Sequence, residues 1–549
     1  MKEDREPVSL IELLPVNSYE LDTYLAEIGI SLRDFARNYN FTEKCFGVDD
    51  CDFIQCVLIE FIASMKPYII PFLAVSQSGV LKGQPIEIKS EHHTKEFIDE
   101  TALQALQKGY RVPSFTLVKR LNFKINEFNK SIRLWLFEHR LKFRYNSVPK
   151  QSLPVPQPGQ FRLLLSTYHT STISTLTPIQ DELNNRSDVF QLYIANRMET
   201  YVKLTELGYF NICFGWALPS VKTNNLDINI FHDFINHYFK EAFPFGETTE
   251  RFKQKFKSQL LSALKFVWSL YPKMKGVVNE YCPKSLLVSS SSTTDAQILI
   301  HLCVKKNIKV IEMTHGMFQD TPILRFQHIP VKIVWNQWQA DLIRKYNPSV
   351  TTMVIGNPKH DELLQKYKLK KPANPHEATP YILLVSSPGR NNSLSWATYK
   401  SVLKEYILCA QLNPDLKFIY KLHPSERPNR IYRVVNELGA PGNFKIESEY
   451  DTYALLFHAF IVVVVTSTLG FEALLWNKNI ICFTVPNSQR WLPFAEHQLA
   501  YQANNAGDLI RAIKAYANGV NLVSNNTRKN YFVFTNEKSR ELLLDIIIR

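Results

Sequence analysis

The sequence FIVVVVTSTLGFEALLWNKNIICFTVP, residues 460–486, contains the strand that decides the fold of this chain. Four consecutive valines follow Ile461, so the segment cannot alternate in polarity. It therefore predicts a strand buried on both faces, as in a parallel sheet covered by helices. A helical run from Phe471 to Trp476 and a second apolar strand starting at Asn479 come next. The stretch predicts a strand, hydroxyl loop, helix, strand unit of an α/β domain.

The hydroxyl loop of this unit, Thr466, Ser467 and Thr468, is a candidate phosphate site. The start of a helix presents unpaired backbone N–H groups and the positive end of its dipole, and the hydroxyls add further donors. Glu472 lies four residues after Thr468 on the same helix face, where a carboxylate can accept hydrogen bonds from ribose hydroxyls. The loop predicts recognition of a nucleotide's phosphate and sugar, with a plain helix cap as the alternative.

A second candidate loop, KLHPSE at residues 421–426, follows the strand predicted at 416–422. Pro424 restricts the backbone, which would hold the imidazole of His423 at the strand end, and Lys421 adds a cation. A lone His-Pro is more often an ordinary turn. Because both loops follow strands of one parallel sheet, we expect His423 and Ser467 to open on the same edge.

A third loop, SSPGRNN at residues 386–392, follows the strand predicted at Tyr381–Val385. Its small residues make Ser387, Gly389 and Arg390 candidates for cradling the donor, with a plain turn as the alternative. The loop contains neither a G-x-G-x-x-G nor a Walker pattern, so hydride transfer and ATP hydrolysis are both disfavoured.

Length and charge set the broad class. The chain has 549 residues, a net charge of +13 and a pI near 9.1, which imply attraction to anions such as nucleotides, acidic lipids, acidic glycans or nucleic acid. Its eight cysteines include no C-x-x-C pair and lie mostly in apolar runs. They predict reduced core residues of a cytoplasmic protein, with neither a zinc site nor a disulfide framework.

Changes of pattern along the chain predict four segments. Residues 1–150 form a mainly helical extension, 158–365 a first Rossmann-like domain, 378–525 a second one, and 526–549 a C-terminal closing helix. A helical, basic and aromatic insertion is expected at 228–270, and a polar connector at 366–380. The opening MKEDREPVSL is charged rather than apolar, so we expect no signal peptide. The apolar window 53–75 is broken by charges and prolines, and it predicts a buried helix pair.

The segment from Val118 to Lys150 carries nine Lys or Arg against two Glu, interleaved with aromatic residues. Such a basic amphipathic helix can lie on an anionic membrane surface, and it can equally be a solvated face that packs on a neighbouring domain. The membrane alternative would place the protein at the inner face of the cytoplasmic membrane. Nucleic acid is not an expected partner, because the usual recognition signatures are absent.

Four motifs in order carry a family resemblance: THG (314–316), IGNPKHDEL (355–363), KLHP (421–424) and TSTLGFEAL (466–474). The order resembles GT-B glycosyltransferases of bacterial surface-polysaccharide synthesis, namely the Kdo transferases, the polysialyltransferases and the CDP-glycerol glycerophosphotransferases. The likeness covers roughly residues 160–525. It implies an α/β fold with two Rossmann-like domains facing a cleft, preceded here by the helical extension.

The resemblance also implies roles for individual residues. In those families the His-Pro histidine and the Ser/Thr motif hold the donor's phosphate, which implies His423, Ser467 and Thr468. The His-Gly histidine of the glycerophosphotransferases, their proposed base, corresponds to His315. After His-Gly the chain continues MFQD rather than with the usual lysine-bearing motif, which favours sugar transfer over glycerophosphate transfer.

Two further residues of the first half are candidates. Asp295, in another strand-end loop, is an alternative base or could orient the imidazole of His315, whose own alternative is a structural role in a turn. His169, in the first strand-end loop, is a candidate for acceptor binding, with a structural role as its alternative.

Taken together, these features predict a metal-independent, inverting glycosyltransferase. It would move a sugar from a nucleotide-activated donor, with a CMP-sugar favoured, to a surface glycan or glycolipid acceptor. No cofactor or metal is expected, because the D-x-D at Asp50–Asp52 lies in the helical extension and His423, Lys421 and the helix start at Ser467 would take the metal's place. The alternatives are a nucleotide-sugar 2-epimerase and a non-catalytic scaffold that binds nucleotide or glycan.

Overall fold

The structure is a computed structural model. It describes residues 8–9, 18–39, 41, 54, 56–58, 61, 86–87, 151–167, 170–219, 229–243, 250–318, 320–374, 380–387, 396–423, 426–484, 492–494, 496–520, 522 and 538–549.

The described part of the N-terminal extension is small. Strands β1 (Val8–Ser9) and β2 (Ile86–Glu87) pair in parallel, and helix α1 spans Ser18–Asn38. Within the window 53–75, the described residues are helical and buried: Ile54, Cys56, Val57, Leu58 and Phe61. The basic segment 118–150 and the D-x-D at Asp50–Asp52 lie outside the described residues, so the interpretations placed on them stay predictions.

The first half is built on a seven-stranded parallel sheet with the order β5-β4-β3-β6-β7-β8-β9. Its strands are β3 (Phe161–Ser166), β4 (Val189–Ala195), β5 (Ile212–Phe214), β6 (Ser285–Val288), β7 (Lys309–Met313), β8 (Val331–Val334) and β9 (Thr351–Val354). The strand order reverses between β3 and β6, which is the switch point where ligands bind in sheets of this kind.

Helices cover both faces of this sheet. They are α2 (Thr170–Asn184), α3 (Met198–Glu206), α4 (Asn229–Glu241), α5 (Glu250–Tyr281), α6 (Thr294–Lys305), α7 (Gln337–Tyr346) and α8 (Pro358–Leu369). The insertion expected at 228–270 is helical, as predicted, and consists of α4 and α5, but α5 continues eleven residues further, to Tyr281. The insertion shares one core with α1, where the rings of Phe41 and Phe234 lie 4.0 Å apart.

The second half is built on a six-stranded parallel sheet with the order β12-β11-β10-β13-β14-β15. Its strands are β10 (Tyr381–Val385), β11 (Lys417–Lys421), β12 (Phe444–Glu447), β13 (Ile461–Val464), β14 (Asn479–Phe483) and β15 (Tyr501–Ala503). Its helices are α9 (Trp396–Gln411), α10 (Pro428–Glu437), α11 (Thr452–His458), α12 (Leu469–Ala473) and α13 (Ala506–Ala517). The switch point lies between β10 and β13.

The valine run forms the central strand that the sequence predicts. All four residues of β13 are buried; Ile461 and Val463 face one apolar cluster, and Val462 and Val464 face the other. Full burial of such a side chain contributes about 1.5–3 kcal/mol, which explains why the run lies in the middle of the sheet. The predicted fold class, two Rossmann-like α/β halves, is confirmed.

The last helix, α14 (Ser539–Ile548), returns to the first half. Its Leu543, Leu544 and Ile547 pack in the core of the first sheet, and the Ser285 hydroxyl donates to the Ile547 carbonyl at 2.7 Å. The sequence places this closing helix after the second sheet, and the structure shows that it closes the first one. Its partners lie in α2, β6 and α8, far earlier in the chain, which no local pattern reveals.

Two predicted boundaries need correction. The helix expected at Phe471–Trp476 begins at Leu469, is α-helical only to Ala473, and continues as a 3₁₀ turn over Leu474–Trp476. The connector expected at 366–380 begins inside α8, because residues 366–369 form the last turn of that helix. Among the helices described, none combines the length and apolar character needed to cross a bilayer.

Candidate functional site

The loops of the second half open on one edge of its sheet. Parallel pairing sets Val385 of β10 beside Lys421 of β11 and Leu384 beside Val463 of β13. The loops after these strands therefore emerge side by side at the switch point. The expectation that His423 and Ser467 share an edge is confirmed.

One hydrogen bond joins the loop after β13 to the loop after β10 at this switch point. The backbone N–H of Thr466, after β13, donates to the Ser387 hydroxyl, after β10, at 3.2 Å. The Ser387 side chain is buried, which fixes its hydroxyl as an acceptor for that loop. Gly389 and Arg390, the other candidates of this loop, lie outside the described residues, and so does Pro424.

The hydroxyl loop differs in detail from a helix cap. The Ser467 hydroxyl accepts from the Leu469 N–H at 3.3 Å, whereas Thr468, the N-cap residue of α12, makes no side-chain capping bond. All three hydroxyl residues are partly exposed. Because α12 has five residues, its dipole is smaller than the sequence argument assumed, so the hydroxyls and backbone N–H groups carry most of the anion-binding potential.

His423 stands at the end of β11 with its side chain exposed. Its backbone N–H donates to a Glu426 carboxylate oxygen at 2.7 Å, which fixes the backbone of the loop. Partial desolvation lowers the pKa of His423, and the negative charge of Glu426 offsets part of this effect. The ring is therefore mostly neutral at pH 7 and can donate one hydrogen bond to an oxygen anion.

Lys421, predicted to bind the donor's phosphate, already has protein partners. Its ammonium donates to the carbonyls of Ser448 and Tyr450, both at 3.0 Å, and the side chain is buried. Desolvation lowers its pKa. Lys421 thus ties β11 to the loop before α11, and two of its three donors are unavailable to a phosphate.

The THG loop after β7 is held by two residues that follow the neighbouring strand β8, one directly after the strand and one on α7. The Trp335 indole N–H donates to the Thr314 carbonyl and the Gln339 amide donates to the Gly316 carbonyl, both at 3.0 Å. Met317, next in the chain, is buried against apolar residues of the second half. These contacts fix the backbone on both sides of His315 and bring the loop to the junction of the halves.

His315 is the candidate base. Its Nδ1 lies 3.3 Å from the Ser289 carbonyl oxygen, after β6. Desolvation lowers the pKa of the ring, and the charge of Glu312 and the bond to Ser289 restore only part of it. The side chain nevertheless retains solvent access. A neutral, accessible imidazole fits a proton acceptor.

Asp295, the alternative base or orienting residue, has a different partner from His315. Asp295 is buried in the first turn of α6, and one of its oxygens accepts from the Asn196 amide at 3.0 Å. The carbonyl of Ser289 orients the imidazole instead. Sequence reasoning missed Asn196 and Ser289, although they directly follow the strands β4 and β6. His169, the candidate acceptor residue, lies outside the described residues.

The two halves meet at these loops. A side-chain carbon placed on Gly316 would lie 3.8 Å from Cγ2 of Thr468, an ordinary van der Waals contact. The loop that carries the candidate base thus lies beside the loop that carries the candidate phosphate hydroxyls, with room for about one methyl group between Gly316 and Thr468.

Glu472 adds a second junction. Its Oε1 accepts from the Tyr453 hydroxyl at 2.9 Å and lies 3.6 Å from Nε2 of His360 and 3.8 Å from the Lys359 ammonium. Burial alone would raise the pKa of Glu472, but the His360 contact and the Lys359 charge hold it below its usual value. The prediction that Glu472 binds ribose stays a prediction, now with partners that sequence reasoning missed.

Those partners belong to the IGNPKHDEL motif. Gly356 has a φ of 79°, which favours glycine, and Asn357 caps α8 by accepting from the Lys359 N–H at 3.1 Å. This Gly-Asn-Pro start to the helix sets Lys359 and His360 in its first turn. The signal was present in the sequence, but only the fold shows that this turn faces Glu472.

Comparison with known families supports part of this interpretation. Residues 395–491 match the family described as "Capsule polysaccharide biosynthesis protein". This segment includes the KLHP and TSTLGFEAL motifs, so the resemblance drawn from the motifs is confirmed there. No curated protein matches the chain significantly. The match shows that this segment is similar to proteins of capsule polysaccharide biosynthesis.

Solved structures with a similar backbone were also found. UDP-GlcNAc 2-epimerase from Neisseria meningitidis, bound to UDP-GlcNAc, has 12% identity and a TM-score of 0.46, over 70% of this chain and 99% of that chain. The UDP-GlcNAc 2-epimerase from Methanocaldococcus jannaschii has 16% sequence identity and a TM-score of 0.45, and the match covers 70% of this chain and 99% of that chain. A glycosyltransferase from Rickettsia africae ESF-5 has 12% sequence identity and a TM-score of 0.40, and the match covers 70% of this chain and 98% of that chain.

Proposed function

We propose that this chain, which matches the capsule-polysaccharide family over residues 395–491, is a metal-independent glycosyltransferase. It moves a sugar from a nucleotide-activated donor, with a CMP-sugar favoured, to a surface glycan or glycolipid. The observation that carries this proposal is the proximity of Gly316 to Thr468, since a side-chain carbon added at Gly316 would lie 3.8 Å from Cγ2 of Thr468 and the His315 loop of one half therefore lies beside the hydroxyl loop of the other.

In this proposal the second half binds the donor. The phosphate lies at the switch point between β10 and β13, where the Ser467 and Thr468 hydroxyls and the His423 ring supply donors. These groups stabilise the negative charge that grows on the departing phosphate, and each such donor contributes about 10²–10³-fold to the rate. Glu472 accepts the ribose hydroxyls.

The first half supplies the proton acceptor. Nε2 of His315 takes the proton of the acceptor hydroxyl as its oxygen attacks the anomeric carbon, and the bond from that carbon to the phosphate oxygen breaks. The nucleotide leaves with the electron pair of that bond. Attack from the side opposite the phosphate inverts the anomeric configuration.

Transfer is favoured over epimerisation by the state of the carboxylates. An epimerase needs an acid and a base in the cleft, and we expect carboxylates in both roles. Four carboxylates are buried among the described residues, and each has a protein partner: Asp295 with Asn196, Glu312 with Lys332, Asp361 with Ser539, and Glu472 with Tyr453.

The test begins with a thermal-shift screen of CMP, CDP, UDP and GDP, which identifies the nucleotide. The protein is then incubated with the corresponding nucleotide sugar, with and without a glycan acceptor and with and without EDTA. Nucleotide release that depends on acceptor and survives EDTA supports the proposal. An epimerised donor would establish an isomerase, and binding without turnover would establish a scaffold.

A further inference from the structure

We propose that Lys359 and His360, on the first half, are positioning residues of the donor site on the second half. They hold the Glu472 carboxylate so that its other oxygen, Oε2, accepts the ribose hydroxyls of the nucleotide. The inference rests on the proposed function and deepens it, since it makes the recognition of ribose depend on both halves of the chain.

The first observation is that the two carboxylate oxygens of Glu472 have different surroundings. The shortest contacts of Glu472 with Tyr453, His360 and Lys359 are made through Oε1, and among the described residues no hydrogen bond to Oε2 is seen. A carboxylate has about four lone-pair directions, so Oε2 retains acceptor capacity. Glu472 stands one helical turn beyond Thr468, which sets that capacity on the sugar side of the proposed phosphate position.

The rigidity of the holding residues is the second observation. The His360 ring packs edge-on against Trp335, with centroids 4.7 Å apart, and Trp335 in turn holds the Thr314 carbonyl. The Lys359 ammonium lies 4.8 Å from the centre of the Tyr453 ring. A continuous set of contacts thus runs from the THG loop through His360 to Glu472.

The energetic need for partners is the third observation. The Glu472 side chain is only 9% exposed, and a buried carboxylate without a cation is costly and tends to become protonated. Removal of Lys359 and His360 would leave the Tyr453 hydroxyl as the remaining described contact of this carboxylate. A protonated or reoriented carboxyl is a poorer acceptor for ribose hydroxyls, so discrimination between ribose and 2′-deoxyribose would fall.

The experiment compares affinities for a ribonucleotide and its 2′-deoxy counterpart. The probe is whichever of CMP, CDP, UDP and GDP gives the largest thermal shift. Proteins to compare are the full-length chain, Glu472→Gln, His360→Gln, Lys359→Met and the Lys359→Met/His360→Gln double variant. A hydrogen bond to a charged group corresponds to a preference of about tenfold or more for the ribonucleotide.

Asp361→Asn is the matched control. Asp361 is also buried in the first turns of α8, but it accepts from the Ser539 backbone N–H at 2.9 Å and faces α14 instead of Glu472. The Asp361→Asn variant therefore measures how destabilisation of α8 in general affects the preference for the ribonucleotide. We expect the preference for ribose to fall toward one in Glu472→Gln and in the double variant, and to persist in Asp361→Asn.

Three outcomes would overturn the inference, and they differ from one another. If the double variant keeps the full preference, Lys359 and His360 are structural only and the proposed function stands. If Asp361→Asn loses the preference equally, the effect is general destabilisation, and the function again stands. If the full-length chain binds none of the four nucleotides, the proposed function fails together with the inference.

Discussion

Nδ1 of His315 lies 3.3 Å from the carbonyl oxygen of Ser289. A carbonyl can only accept, so Nδ1 carries the proton and Nε2 of the neutral ring carries a lone pair. The two residues follow the neighbouring strands β6 and β7, so the bond is set by the edge of the first sheet. The fold thus selects the tautomer that a general base requires.

Substitution of this residue should separate binding from chemistry. In His315→Ala we expect turnover to fall about 10²–10⁴-fold, the usual contribution of a positioned base, while donor affinity stays near that of the natural chain. Single-turnover kinetics and nucleotide titration measure the two quantities. His423→Ala is the reciprocal variant, in which donor affinity falls; near-normal turnover in His315→Ala would reject the base assignment.

The acid limb of the activity profile should lie below the ordinary pKa of histidine. Desolvation lowers the pKa of His315 despite the charge of Glu312, so the ring stays neutral to below about pH 6.5. We expect kcat/KM to be level at neutral pH and to fall only at lower pH. An acid limb centred above pH 6.5 would contradict this.

The lowered pKa of His315 also makes the free energy of unfolding depend on pH. The folded chain favours neutral His315 more than the unfolded chain does, so the stabilisation is complete above the unfolded pKa and is lost as pH falls toward the folded one. Urea denaturation of the natural chain and of His315→Gln between pH 5 and 8 measures it. The difference between the two proteins should change with pH in this window, because the glutamine does not titrate.

A buried ion pair supports the THG loop. Glu312, at the end of β7, and Lys332 on β8 lie 2.9 Å apart, with side chains 4% and 3% exposed. Lys332→Met leaves a buried carboxylate without its cation, and we expect it to lower the free energy of unfolding by about 3–5 kcal/mol. The double variant Glu312→Leu/Lys332→Met should recover most of this loss in urea denaturation, and failure to recover would locate the cost in packing.

The hydroxyl of Ser387 should stabilise the loop of Thr466, Ser467 and Thr468, which is the proposed phosphate site. Ser387→Ala removes the acceptor of the Thr466 N–H, and we expect a loss of about 1–3 kcal/mol in the free energy of unfolding together with weaker nucleotide binding. Calorimetry and nucleotide titration measure both. Ser401→Ala, at an exposed position of α9, is the control and should change neither. Unchanged nucleotide affinity in Ser387→Ala would show that the loop does not depend on this bond.

Gly470 is required by packing. A methyl group there would lie 2.6 Å from the Phe494 ring and 3.1 Å from Val464, so Gly470→Ala should lower the free energy of unfolding by about 1–3 kcal/mol. Gly442→Ala, with nothing within 4 Å of the added carbon, is the matched control. Equal thermal stability of the two variants would show that the ring moves aside.

The positions of His423 and Ser467 could be predicted because each follows a buried apolar strand of one parallel sheet. The roles of Lys421 and Asp295 could not. The sequence shows a lysine and an aspartate beside loops, whereas their partners, two carbonyls in the loop before α11 and the Asn196 amide, are fixed by packing. Residue type and local position cannot distinguish a side chain that is already engaged from one that faces a ligand.

The sequence by itself determined the two α/β halves, because hydrophobic runs, helix caps and turn residues act over a few positions and the valine run admits only a strand buried on both faces. Only the tertiary structure decided which loops meet: Gly316 with Thr468, His360 with Glu472, and α14 with the first sheet. The physical reason is that these contacts join residues more than 100 positions apart. Their pairing follows from how the two halves and the last helix pack together, which no local pattern encodes.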